Sequence, residues 1–140
     1  MLLLVTSLKK KINNNKVAIV TGAGSGIGKA VALALAKEGI NVYLAGRKIE
    51  KLLKTKKKSI KENNRGSCHV IKCDVSEEVD VRKLFLHIQK QYGRLDLLFN
   101  NAGIGIEANT IDKIKFKDWK RLIDTNINGM FLCAKYAYQS

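Results

Sequence analysis

Thr21-Gly22-Ala23-Gly24-Ser25-Gly26-Ile27-Gly28 joins a short apolar run, Val17 to Thr21, to a segment of helical period, Gly26 to Glu38. A glycine at the end of a buried strand permits a tight turn. The next ones let a backbone approach a pyrophosphate, and the last allows close packing of helix on strand. Phosphates would then face unpaired amides at the positive end of the helix. A glycine-rich turn is also compatible with a plain tight connection, so its placement between strand and helix carries the weight. The spacing of Gly22, Gly26 and Gly28 is wider at its first interval than the G-x-G-x-x-G pattern.

Outward from this turn, short apolar runs alternate with longer segments of helical period, the pattern of strand-helix units around a parallel sheet. In the first helix Ile27, Ala30, Val31, Ala34 and Leu35 are expected to share the buried face, and Gly39 ends it. A second strand, Asn41 to Ala45, leads through Gly46-Arg47 into a lysine-rich helix that frays near Asn63-Asn64. The third strand, Cys68 to Cys73, ends at Asp74, and Ser76 stands where a helix cap is wanted. Val81, Leu84, Phe85, Ile88 and Tyr92 form the next helix's stripe, Gly93 breaks it, and Leu95 to Phe99 is the fourth strand. Asn100-Asn101-Ala102-Gly103 follows. Trp119, Leu122, Ile123, Ile127, Met130, Phe131 and Ala134 then recur at helical spacing, which predicts one final helix.

Length and composition agree with one folded domain of residues 16 to 140, preceded by a basic extension of residues 1 to 15. The sequence has 140 residues, of which 46% are apolar and 27% charged. Cys68, Cys73 and Cys133 are too few and too scattered for a disulfide framework, and with His69 and His87 they give no metal-ligand spacing. A cytoplasmic setting and no bound metal are expected. Met1 to Leu8 has no positive residues ahead of it and Lys9-Lys10-Lys11 after it, unlike a signal peptide, and no apolar run approaches the ~18 residues of a membrane span. A membrane partner is therefore not expected. The net charge of +14 raises nucleic acid as a partner, but no aromatic residues interleave with the lysines as single-strand binding favours, and solvated lysine-rich surfaces explain it better.

Thr-Gly-x-x-x-Gly-Ile-Gly, followed in order by Asp74-Val75, Asn100-Asn101-Ala102-Gly103 and Asn126-Ile127-Asn128-Gly129, resembles the short-chain dehydrogenase/reductase family over nearly the whole chain. The resemblance implies a Rossmann-type α/β fold, a doubly wound parallel sheet, here truncated after the fourth strand and the helix that follows. It implies a coenzyme held by Thr21, Gly22, Ser25, Gly26, Ile27 and Gly28 in the turn, by Asp74 at the adenine edge with Val75 beside it, and by Asn100, Ala102 and Gly103 along the ribose. Asn101 would tie the fourth strand to Thr21. Asn126 would belong to the catalytic set, holding the water of a proton relay. Each has a plainer reading: Asp74 prepares the next helix, the asparagine doublet is a turn, and Asn126 marks a kink, since an amide in an apolar stripe must find partners or cost a few kcal/mol.

The choice of coenzyme falls about twenty residues past the glycine turn, where an acid suits the ribose 2′-hydroxyl and a base suits a 2′-phosphate. Gly46-Arg47 stands there, and Arg47 can clamp a phosphate with two charge-assisted bonds. NADP is expected over NAD, although Ser25 occupies a position where a second basic residue is common in NADP-preferring relatives. The resemblance further implies hydride transfer between that coenzyme and a small carbonyl or secondary-alcohol substrate, and a homo-oligomer when full length. The family's serine and Tyr-x-x-x-Lys do not occur in these residues, and Tyr136 is followed four positions later by Ser140. The chain is thus expected to be the coenzyme-binding half of an enzyme, inactive alone; the alternative is a non-catalytic nucleotide-binding remnant or regulatory module.

Overall fold

The computed structural model describes residues 16–107 and 110–140, so the basic extension lies outside the described residues. Four parallel strands stand in the order β3-β2-β1-β4: β1 Val17–Thr21, β2 Asn41–Gly46, β3 Cys68–Lys72 and β4 Leu97–Phe99. Five α-helices accompany them: α1 Gly26–Lys37, α2 Ile49–Lys61, α3 Glu78–Tyr92, α4 Phe116–Ile123 and α5 Gly129–Tyr138. Side chains alternate faces along a strand, and both faces here are covered. Val17, Ile19, Tyr43 and Ala45 pack with Val81, Leu84, Phe85 and Ile88 of α3 and Cys133 of α5. Val20, Val42 and Leu44 pack with Ala32 and Ala36 of α1 and Leu52 of α2. This is the doubly wound α/β sheet expected from the sequence.

Parallel pairing puts the carboxyl ends of all four strands on one side. The chain runs outward from β1 to β2 and β3, then returns to β4 on the other flank of β1. The crevice beyond the strand ends at such a reversal is where open α/β sheets place ligands.

Four local expectations need correction. The buried residues of α1 are Gly28, Ala32 and Ala36, with Val31 and Leu35 packed beside them, whereas Ile27, Ala30 and Ala34 are exposed. Gly28 explains this: a β-carbon there would come within 2.4 Å of the Gly22 carbonyl oxygen, so the helix turns its smallest residue toward the strand end. Ser76 is not the cap of α3. The N-cap is Glu77, without a side-chain cap bond, because the Ser76 hydroxyl is already spent on Asp74. β4 begins at Leu97 rather than Leu95; before it, the Asp96 carboxylate accepts the Val17 amide at 2.8 Å. The single final helix is interrupted by a π-helical turn, Asp124–Asn128, between α4 and α5.

Among the described residues no helix is long and apolar enough to cross a membrane.

Candidate functional site

Loops from all four strand ends meet in a groove of about 100 Å³ lined by Gly22, Gly46, Arg47, Cys73, Asp74, Val75, Ala102, Gly103, Ile104 and Thr125. Six residues picked from the sequence come together here: Gly22, Arg47, Asp74, Val75, Ala102 and Gly103. Thr21 lies directly beneath, fully buried at the end of β1. Ser25, Gly26 and Ile27 are exposed at the start of α1, beside the groove rather than in its lining. A larger depression of about 490 Å³ rests on Gly105, Ile106, Lys113, Lys115, Asp118 and Arg121 among others; the loop after β4 reaches it, while the loops after β1, β2 and β3 contribute none of its lining residues.

The near wall is the glycine turn. Gly22 has φ +67, a left-handed backbone that an L side chain rarely adopts, and its amide donates to the Ala45 carbonyl at 2.9 Å. A β-carbon on Gly28 would meet the Gly22 oxygen at 2.4 Å and the Asn101 amide nitrogen at 2.6 Å. The turn can therefore close against α1 only if residue 28 is glycine. At the start of α1, Ser25 makes no side-chain cap bond, which leaves the first amides of the helix free to meet an anion.

Thr21 stitches the near wall to the far one. Its Oγ1 accepts the amides of Asn101 and Ala102, each at 2.9 Å, while the Asn101 side chain donates to the Thr21 carbonyl at 3.1 Å. Asn101 thus ties the end of β4 to β1, the part the resemblance gave it. Asn100 points elsewhere: its Nδ2 donates to the Met130 carbonyl at 2.8 Å, so it joins the strand end to α5.

The far wall is pinned by Asn126. In the π turn its Oδ1 accepts the Ile104 amide at 2.8 Å and its Nδ2 donates to the Ile104 carbonyl at 2.9 Å. A π turn is a known form of helix interruption at functional sites, and here it swings Thr125 inward, where it is buried, and Asn126 onto the loop. Gly103 sits 3.4 Å, measured from an added β-carbon, from the same Asn126 oxygen. Gly129, just past the turn, packs so closely on Val75 that a β-carbon would lie 2.7 Å from Val75 Cγ2.

On the β2–β3 side, Asp74 is held by its own neighbours. Its Oδ1 accepts the Ser76 amide at 3.1 Å and the Ser76 hydroxyl at 2.7 Å, and its amide donates to the Asp80 carboxylate at 3.0 Å. The other carboxylate oxygen lies 3.9 Å from the Arg47 guanidinium. The plainer reading of Asp74, a residue that prepares the next helix, and its place in the groove are both visible. Behind it, burial pushes the Cys73 thiol up to about 12, with Cys133, Asp80 and Asp74 adding to the effect, so this thiol is neutral.

Cys73, Ile104 and Thr125 were not singled out from the sequence. Only Thr125 carried a signal, a polar residue beside Asn126 in an apolar stripe.

The sequence profile of the family described as short chain dehydrogenase matches residues 16–140. The chain belongs to that family. It is 39% identical over 125 residues to a farnesol dehydrogenase of Aedes aegypti, a match covering 89% of this chain and 51% of the relative. It is 41% identical over 122 residues to a 3beta-hydroxysteroid dehydrogenase of Mediterraneibacter gnavus, covering 87% and 44%. Among solved structures, a metagenomic short-chain oxidoreductase in complex with NADP superposes with a TM-score of 0.84 at 30% identity, covering 89% of this chain and 56% of that one. The citronellol catabolism dehydrogenase of Pseudomonas aeruginosa gives a TM-score of 0.81 at 36% identity, covering 89% and 50%. The chain spans about half the length of the relatives it matches.

Proposed function

We propose that the groove binds NADP(H) in preference to NAD(H), and that the chain is the coenzyme-binding half of an oxidoreductase interconverting a small carbonyl compound and a secondary alcohol. The observation that carries this reading is the convergence of Gly22, Arg47, Asp74, Val75, Ala102 and Gly103 on one groove at the strand-order reversal. The residues fit such a coenzyme. Gly22 and Gly28 keep the strand end bare of β-carbons, and the free amides at the start of α1, around Gly26, Ile27 and Gly28, suit a pyrophosphate. Ser25 offers a hydroxyl not used as a cap. Arg47 is half exposed at the groove and, among the described residues, its ion pair is with Asp74 at 3.9 Å, long enough for a 2′-phosphate to recruit it.

Asp74 and Val75 would flank the adenine, and Ala102 and Gly103 the ribose, while the Asn100 side chain ties the end of β4 to α5. When bound, the nicotinamide supplies or accepts the hydride. The chain's own part is to orient the coenzyme, and Asn126 acts as a positioning residue that fixes the Ile104 backbone at the far wall. A cytoplasmic setting and a homo-oligomeric whole protein belong to the same proposal.

The test is a fluorescence titration of the purified protein with NADPH and NADH. Saturable binding with NADPH tighter is expected. If neither nucleotide binds, the coenzyme reading fails; if NADH binds at least as tightly, the preference argued from Arg47 fails. The second reading is a nucleotide-binding module without turnover. Nucleotide binding without reduction of any carbonyl by the whole protein would select it.

A further inference from the structure

One buried side chain holds the glycine turn and the start of α2 together. Thr55, fully buried, lies with its Oγ1 3.0 Å from the Ala23 carbonyl and 3.3 Å from the Lys51 carbonyl, and shares its proton between them. Lys51 is thereby seated against the turn: a β-carbon added to Gly24 would stand 2.8 Å from the Lys51 β-carbon. Gly24 immediately precedes Ser25, the N-cap of α1. The stem of Lys51 therefore rises from the turn itself, four residues beyond Arg47.

Charge around this point is unbalanced. Arg47 shares its charge with Asp74 at 3.9 Å. Lys51 is exposed and has no ion-pair partner among the described residues. Lys48 is the N-cap of α2 and Lys51 lies in its first turn, the positive end of a helix, where cations are disfavoured; Glu50 is the acid of that turn. Helix stability does not account for cations in these places.

We propose that Lys51 is a second cationic contact for the 2′-phosphate of NADP(H), supplying from α2 the charge that Ser25 does not bring to the glycine turn. This rests on the coenzyme reading above. Arg47 contributes a planar fork already leaning on Asp74, and Lys51 a flexible ammonium anchored at its base. The two together neutralise a dianion that one half-engaged guanidinium meets only in part.

The test is calorimetric binding of adenosine 2′,5′-bisphosphate and adenosine 5′-monophosphate to the wild type and to Lys51→Gln, Lys51→Arg and Lys54→Gln. Lys54 is an exposed lysine of the same helix and controls for the loss of one positive charge anywhere on α2. Lys51→Gln is expected to lower the ratio of the two affinities about tenfold, the size of one charge-assisted contact, with Lys51→Arg restoring most of it and Lys54→Gln leaving the ratio near wild type. An unchanged ratio in Lys51→Gln, or an equal fall in Lys54→Gln, overturns the assignment of Lys51 while leaving the coenzyme reading intact. A wild type that binds neither nucleotide overturns the coenzyme reading, and the role of Lys51 with it.

Discussion

All five residues of β1 are buried, whereas all three of β4, hydrogen-bonded beside it, are only half-buried. The two strands carry the two walls of one groove. On the β1 side, α1, α2 and β2 close in, and the turn is shaped by contacts too close for any side chain. On the β4 side, α4, the π turn and α5 leave Trp119, Ile127, Met130 and Phe131 exposed at 47%, 51%, 43% and 64%. That wall is held by a few hydrogen bonds: Asn101 and Ala102 to Thr21, Asn100 to Met130, and Asn126 to Ile104. A wall set by packing and a wall set by point contacts should fail differently, since local opening follows buried apolar contact.

The largest effect is expected at the packed wall. Gly28→Ala places a β-carbon against the Gly22 carbonyl and should cost about 3 kcal/mol in denaturant unfolding, at the upper end of overpacking penalties, and abolish nucleotide binding. Gly26→Ala is the matched control. Gly26 has φ +52 with nothing within 4 Å of an added β-carbon, so only backbone strain of about 1 kcal/mol applies. Equal losses in the two variants would mean that backbone conformation, not the approach of α1 to the strand end, makes the turn.

A smaller and more local effect is expected at the pinned wall. Asn126→Ala removes both partners of the Ile104 backbone and should cost about 1–2 kcal/mol. The distinguishing readout is amide hydrogen exchange: the Ile104 amide should exchange faster while the β1 amides keep their protection. If β1 loosens to the same degree, the two walls open as one unit and the comparison between them collapses.

The same contrast explains what was legible in the sequence. The packed wall was readable because its constraints are local. Gly22 and Gly28 are forced by a turn of a few residues, and Arg47 and Asp74 follow directly from strand ends that show as apolar runs. The buried face of α1 was misread for a local reason too. Val31 to Ala36 is apolar all round, so periodicity offers no polar side to exclude, and only the contact at Gly28 decides the rotation. The pinned wall was less legible. Asn126 stood out as an amide in an apolar stripe, but its partner, the Ile104 backbone, lies 22 residues away. The π turn that aims it leaves no mark in a helical period. Cys73 entered the groove through tertiary packing alone, and Ser76 left its expected cap position because Asp74 competes for its hydroxyl.

The smallest effect tests whether surface charge adds anything to the β4 side. Glu78, in the first turn of α3, accepts from Lys135 Nζ at 3.1 Å and from the Tyr136 hydroxyl at 3.0 Å, linking α5 to α3. Those two bonds hold the Glu78 carboxyl below its usual range, and the same carboxylate raises the Lys135 ammonium. The signs follow by linkage. The carboxylate's contribution is present above its unfolded value, near 4.5, and is lost as pH falls through the lowered folded one. The ammonium's is present below its unfolded value, near 10.5, and is lost as pH rises through the raised folded one. Glu78→Gln keeps an acceptor for Tyr136 and removes only the charge facing Lys135. Thermal melts of the two proteins should therefore differ slightly between about pH 5 and 10 at low salt, and coincide at acid pH. They should coincide as well in about 1 M salt, where screening acts within roughly 3 Å. A difference that survives high salt would show a link fixed by hydrogen-bond geometry rather than exposed charge, and the β4 side would then be better anchored to α3 than its exposed apolar residues suggest.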